Sequence, residues 1–214
     1  MLSETVGDAA RRHDPSVYAA ALRSRPDAAL PFEPAAAPAL PLLLDTTVYL
    51  HRSAGKVPPG IRALIASRRH MVHNCAVACA ELAISIGLLD RGDPHTAGTI
   101  TALRAHLDQM TTDKTVAPGA SAWTEAAVLA GILARTQGLA VPKRALTADQ
   151  LCCQEGRRRE LLLDALMFVT AVEQDMLLIS GNIRHMDLLL QLCPSPNVLL
   201  YRPAARVETQ ASRA

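Results

Sequence analysis

Pro41-Leu42-Leu43-Leu44-Asp45-Thr46-Thr47 is the stretch on which the fold turns. An unbroken apolar run that stops at an acid and two hydroxyl residues has the pattern of a buried parallel strand meeting a loop. Downstream, the same logic alternates helix and strand. Val57-Pro-Pro-Gly opens a helix through Arg68 with proline near its start, and His70 to Cys75 reads as a second short strand. Val77 to Leu89 is an apolar helix and Pro94 to Met110 an amphipathic one; Ser121 caps a third that stops near Gly138. Residues 139–155 read as a loop and Arg157 to Gln174 as a long helix. Met176 to Ser180 is a strand, Asn182 to Leu190 a short helix, and Asn197 to Tyr201 a final strand. Strands alternating with helices predict a parallel α/β sandwich.

Upstream of Pro41 the composition changes. Prolines at 26, 31, 34 and 38 prevent a continuous helix. Residues 1–40 therefore read as an Ala/Pro-rich appendage, partly helical or disordered, with a short helix over 15–24. The domain proper is expected over 41–204 and a C-terminal tail over 205–214. A chain of 214 residues suits one domain with such an appendage.

Half of the residues are hydrophobic but only 3% are aromatic, so the core must be built from Leu, Ala, Val and Ile. That composition argues against a single-strand binder that stacks bases on exposed rings. A net charge of +2 gives a weak overall field, so any attraction for nucleic acid must be local. The run Arg157-Arg158-Arg159 is one such patch, or else a solvated helix start. Five cysteines, an odd number, and an N-terminus without the basic-then-apolar order of a signal peptide predict reduced thiols and a cytoplasmic location. No apolar stretch reaches the roughly 18 charge-free residues of a membrane span. His70, His73, Cys75 and Cys79 fit no standard pair of zinc knuckles, and the two cysteines read as small core residues. Walker and dinucleotide fingerprints are absent from the sequence, which removes the main support for nucleotide hydrolysis and hydride transfer.

Three acids stand where their neighbours predict burial. Asp45 ends the first strand, Glu81 is the only charge in an apolar helix, and Asp164 sits in Leu161-Leu-Leu-Asp-Ala-Leu-Met-Phe. A carboxylate that loses its hydration costs several kcal/mol or shifts its pKa until it is neutral, so each needs compensation. A private arginine or backbone amide would serve any one of them. A shared divalent cation serves all three, and it suits Asp45, because open α/β sheets bind ligands at the carboxyl ends of their strands. Oxygen-only ligation favours Mg²⁺ or Mn²⁺, and such a site favours phosphodiester hydrolysis.

The order of four motifs adds a resemblance. Leu-Leu-Leu-Asp-Thr-Thr at 42–47, Ala-Glu-Leu at 80–82, Leu-Leu-Asp-Ala-Leu at 162–166 and Leu-Ile-Ser-Gly-Asn-Ile-Arg-His at 178–185 together resemble the successive signatures of PIN-domain nucleases, nearest to the VapC-type toxins of toxin–antitoxin pairs. The likeness covers roughly residues 41–201. It implies a three-layer α/β/α sandwich with a central parallel sheet and a metal-dependent endoribonuclease activity. Asp45, Glu81 and Asp164 would bind Mg²⁺ or Mn²⁺, with Thr46, Thr47 and Ser180 lining the same pocket. The implied partners are RNA, a small antitoxin protein whose tail blocks the site, and a second copy of the chain. Many relatives carry a fourth acid after the last motif's strand. Here Asn182 and His185 occupy the two candidate positions, and Asp187, two residues further on, is the substitute. Asn182 can still hydrogen-bond a metal-bound water, and His185 reads as a surface histidine or a phosphate contact, beside Arg157 and Arg184 as RNA-facing cations. The alternative is a PIN-like module that binds RNA or protein without catalysis.

Overall fold

The computed structural model describes residues 5–18, 22–89, 94–138 and 157–205. The loop expected over 139–155, with Cys152 and Cys153, and nearly all of the C-terminal tail lie outside the described residues, as do the side chains of Arg157 and Arg158. The described residues build a five-stranded sheet from β1 (Leu42–Leu44), β2 (Val72–Cys75), β3 (Thr115–Val116), β4 (Leu177–Ser180) and β5 (Val198–Leu200), in spatial order β3-β2-β1-β4-β5. Every pairing is parallel: Leu43 lies opposite His73 on one side and Leu178 on the other. Helices flank the sheet, giving the three-layer α/β/α sandwich.

The crossovers are helical, as parallel pairing requires. After β1 come α2 (Thr46–Ser53) and α3 (Pro59–Ser67); α4 (Ala76–Leu88) and α5 (Pro94–Asp108) lead from β2 to β3. The helices α6 (Ala120–Gly138) and α7 (Arg157–Glu173) pack on one another before β4, and α8 (Ile183–Leu192) joins β4 to β5. α1 (Val6–Arg11) packs against α6. From β1 the chain builds outward to β3, then returns to lay β4 on the other side of β1. The β1/β4 boundary is therefore the switch point, the place where an open parallel sheet leaves a crevice at its carboxyl edge. Leu42, Leu43, Leu177, Leu178 and Ile179 are completely buried there, which anchors the floor of that crevice.

One local feature differs from the sequence reading. Asp45 does not lead into a loop. It is the N-cap of α2, with extended backbone and a carboxylate that accepts from the Thr47 N–H at 2.7 Å. Asp is among the best residues for that task. The long helix α7 ends in a paired hydrogen-bond motif, Met176 N–H to the Ala171 carbonyl at 2.8 Å and Asp175 N–H to that of Val172 at 3.3 Å. Asp175 takes the left-handed conformation there (φ 49°) where glycine is usual, and its carboxylate accepts from Asn197 Nδ2 at 3.1 Å.

The described part of the N-terminal segment lies packed on the sandwich. Of the short helix expected over 15–24, the described residues form only a 3-10 turn at Pro15–Val17, and an α-helix sits earlier, at α1. The Pro31 carbonyl accepts from Leu200 N–H at 2.8 Å, which engages edge strand β5. The Arg68 guanidinium gathers the carbonyls of Ala37, Pro38 and Leu40. Prolines, which forbid helix, leave carbonyls free for such contacts.

Candidate acidic site at the switch point

Asp45 is 1% exposed, between the ends of β1 and β4. Its N–H continues the ladder to the Ile179 carbonyl at 3.1 Å. Oδ1 takes the Thr47 N–H, and Oδ2 accepts from the Ser180 hydroxyl at 2.8 Å. Ser180 Oγ in turn accepts the Asn182 N–H at 2.9 Å, so a backbone amide orients the hydroxyl that orients the acid. Burial, and next the charge of Asp164, push the Asp45 carboxyl up to about 6 against the pull of those donors.

Glu81 reaches the same crevice from α4, half-buried, where Oε2 accepts from the Thr46 hydroxyl. Burial raises its carboxyl to about 7; the charges of Asp45 and Asp164 push the same way, and Arg159 opposes them. Asp164, on α7 and 7% exposed, accepts from Asn182 Nδ2 at 3.0 Å on both oxygens and from His185 Nδ1 at 2.5 Å. Asp164 thus raises the carboxyls of both Asp45 and Glu81, and Asp45 raises that of Glu81, although the three come from β1/α2, α4 and α7. Their oxygens do not all lie within 4.8 Å of one another; among the described residues the one His/Cys/Asp/Glu trio that does is His13, Glu125 and Cys193.

Two other buried acids provide an internal control. Asp187 is 1% exposed, but Arg25 takes both its oxygens, through Nε at 2.6 Å and the backbone N–H at 2.8 Å. It ties the N-terminal segment to α8, so the acid that the motif spacing suggested for the fourth position has both oxygens engaged by Arg25. Glu125, 5% exposed, is bonded by Arg12 and His13. Among the described residues, Asp45 and Glu81 have no such ion pair.

The remaining expected site residues divide. Thr46, Thr47, Ser180 and Asn182 all stand at the crevice. His185 is no simple surface residue: three-quarters of its side chain is covered and it bonds Asp164. Arg184 is exposed and reaches Gln137 instead, at 3.4 Å. Cys75 is buried in the core, and the Cys79 thiol lies against Met110 Sδ at 3.4 Å.

Sequence reading did not find a second set of hydrogen bonds beside Asp45. The Gly181 N–H donates to Thr47 Oγ1 at 2.9 Å, and nearby the Tyr201 hydroxyl bonds His51 Nδ1 at 2.9 Å. Burial and then Lys56 lower the His51 pKa, favouring the neutral ring such a contact needs. Tyr201 closes the last apolar strand, the one hint it offers in sequence; His51 offers none.

On the other flank of α2 opens a cleft of about 700 Å³. Arg52, Arg62, Arg69, Lys114 and His106 line it over an apolar floor, and no carboxylate among the described residues does. A local basic surface therefore lies here, carried by α2, α3 and the residues around β2 and β3. Comparison with protein-family models, curated proteins and solved structures returned no match to this chain.

Proposed function

We propose that the chain is a metal-dependent endoribonuclease that hydrolyses RNA phosphodiester bonds, of the PIN-domain, VapC-type toxin class that its motifs resemble. The observation that supports this most is the contrast among buried acids: Asp187 has Arg25 to itself, while among the described residues Asp45 and Glu81, beside Asp164, form no ion pair with an arginine. Burial without a cation costs several kcal/mol, so a divalent cation is the natural compensation.

The donor set fits Mg²⁺ or Mn²⁺. It is oxygen-only, and its spread suits an ion that keeps several waters rather than a closed protein cage. Such an ion, when bound, polarises a phosphoryl oxygen and lowers the pKa of a coordinated water. The chain's own residues prepare the site. The Ser180 and Thr47 donors fix the Asp45 carboxylate, Thr46 fixes Glu81, and Asn182 with His185 fixes Asp164. The basic cleft beside α2 offers cations for the RNA backbone, which carries one charge per phosphate.

As a toxin of this class the protein would work in the cytoplasm, as a homodimer held in check by a cognate antitoxin. No described helix is long and apolar enough to cross a membrane. The test is cleavage of structured RNA with Mg²⁺, Mn²⁺ or EDTA, comparing the wild type with Asp45→Asn and Asp164→Asn. Metal-dependent cleavage lost in both variants supports the reading; equal activity in all three proteins, or none with any metal, overturns it.

A second reading, a PIN-like module that binds RNA or protein without cutting, draws on the fourth position. Asn182 stands there, and Asp187 is committed to Arg25. A folded protein that binds RNA but shows no Mg²⁺ or Mn²⁺ affinity would favour it.

A further inference from the structure

We propose that His13, Glu125 and Cys193 form a zinc site that fastens the N-terminal helix to the sandwich. The three side chains come from remote points of the chain: His13 just beyond α1, Glu125 in α6, and Cys193 at the C-cap of α8. One donor atom from each, imidazole nitrogen, carboxylate oxygen and thiol sulfur, lies within 4.8 Å of the other two. The His13 and Glu125 side chains are only 10% and 7% exposed, and Cys193 is half-buried.

The donor chemistry selects the metal. A thiolate with an imidazole is a soft-to-borderline pair, which suits zinc and not Mg²⁺ or Ca²⁺. Three protein ligands leave one tetrahedral position for water. Glu125 is already oriented, because Arg12 holds Oε2 and leaves Oε1 facing His13. His13 Nε2 and Glu125 Oε1 are 2.7 Å apart. Ligands about 2.0–2.1 Å from zinc at the tetrahedral angle stand roughly 3.3 Å apart, so the pair need separate by only about half an ångström. Zinc then replaces their hydrogen bond.

The charges also close. Arg12 bridges Glu125 and Glu173, and Ser121 donates to the Glu173 carboxylate at 2.9 Å. Among the described residues, one guanidinium against these two carboxylates leaves a single negative charge in a mostly buried place. A Cys193 thiolate adds a second, and Zn²⁺ cancels both. Binding releases the thiol proton to solvent, and the imidazole proton that bonded Glu125 leaves Nε2, so that the zinc-bound ring carries its proton on Nδ1.

Titrating the full chain with Co²⁺ and then Zn²⁺ tests the site, because a thiolate ligand gives cobalt a sulfur-to-metal charge-transfer band that carboxylates cannot give. The expected result is one equivalent of cobalt with that band, displaced by zinc. Cys193→Ser should abolish the band, and both it and His13→Ala should weaken zinc binding by more than about 100-fold, beyond the loss of an outer partner. Asp45→Asn should leave it intact, since this site is independent of the acidic crevice. Thermal unfolding in EDTA confirms that Cys193→Ser still folds. Zinc should also slow proteolysis within the first twenty residues of the wild type and not of Cys193→Ser. No band in the wild type, or a band and zinc affinity that survive Cys193→Ser, overturns the proposal.

Discussion

Ser180 and Asp45, 135 residues apart in sequence, meet at 2.8 Å across the β1/β4 boundary, the serine hydroxyl donating to Oδ2. Ser180 has no other direction to choose, since its oxygen accepts the Asn182 N–H. The pair therefore fixes how the acid faces the crevice. Ser180→Ala keeps the fold, costs about 1 kcal/mol for the lost hydrogen bond, and leaves Asp45 with a single orienting donor. Affinity for Mn²⁺ should fall about 10–100-fold, the usual effect of removing an outer-sphere partner, measured by calorimetric titration. Unchanged affinity would mean that Asp45 does not touch the ion.

Asp45→Asn and Asp187→Asn should have opposite signatures, although both acids are 1% exposed. Asp187 is paired with Arg25, and neutralising it leaves a guanidinium without its partner. That change should cost about 3–5 kcal/mol of stability, discounted toward the lower end because the Arg25 side chain is a third exposed. Asp45 has no cationic partner among the described residues, so its amide should be neutral or stabilising in EDTA while removing cleavage. Denaturant unfolding of both variants beside the cleavage assay separates the cases.

How much of this is legible in sequence depends on what each signal reports. A single charge inside an apolar run reports burial, and that located Asp45 and Asp164 correctly. The same signal was present at Glu125, within Trp123-Thr-Glu-Ala-Ala-Val-Leu, and passed unnoticed. Burial says nothing about partners. Arg12 and Arg25 lie 113 and 162 residues from the acids they neutralise, inside a segment whose prolines suggested an appendage. Nothing in the sequence therefore signals that Arg25 engages Asp187. α2 is hidden in the sequence because Asp-Thr-Thr has the pattern of a strand end, although Asp ahead of a Val-Tyr-Leu run is also a helix cap. β3 has two residues, too few for any period to show.

The raised carboxyls predict an uncommon pH dependence. Asp45 at about 6 and Glu81 at about 7 both titrate above their unfolded values near 4. Between about pH 4 and pH 7 the folded chain therefore holds more protons than the unfolded chain, and stability falls as pH rises through that window. In EDTA the melting temperature should be several degrees higher near pH 5.5 than near pH 7.5, and Asp45→Asn should flatten the slope. Saturating Mg²⁺ should stabilise more at pH 7.5 than at pH 5.5, because the ion competes with those protons. A melting temperature that rises with pH in EDTA would contradict the burial that raises these two carboxyls.

Gly181 lies where β4 turns into α8, and it has no room for a side chain. A Cβ there would stand 2.9 Å from His51 Cε1 and 3.1 Å from Tyr201 Cζ. Neither ring can retreat freely, because their 2.9 Å hydrogen bond holds them together. Gly181→Ala should push them apart and draw the Gly181 N–H from Thr47 Oγ1, loosening the turn that aims Ser180 and Asn182 at the acids. The expected outcome is overpacking of about 1–3 kcal/mol with a cleavage rate reduced by more than the stability loss explains. The second change His51→Ala opens the space that the methyl needs. Rescue of cleavage in Gly181→Ala/His51→Ala relative to Gly181→Ala alone, measured at a temperature where both are folded, would trace the defect to this contact. A double variant as slow as the single one would place the fault elsewhere in the turn.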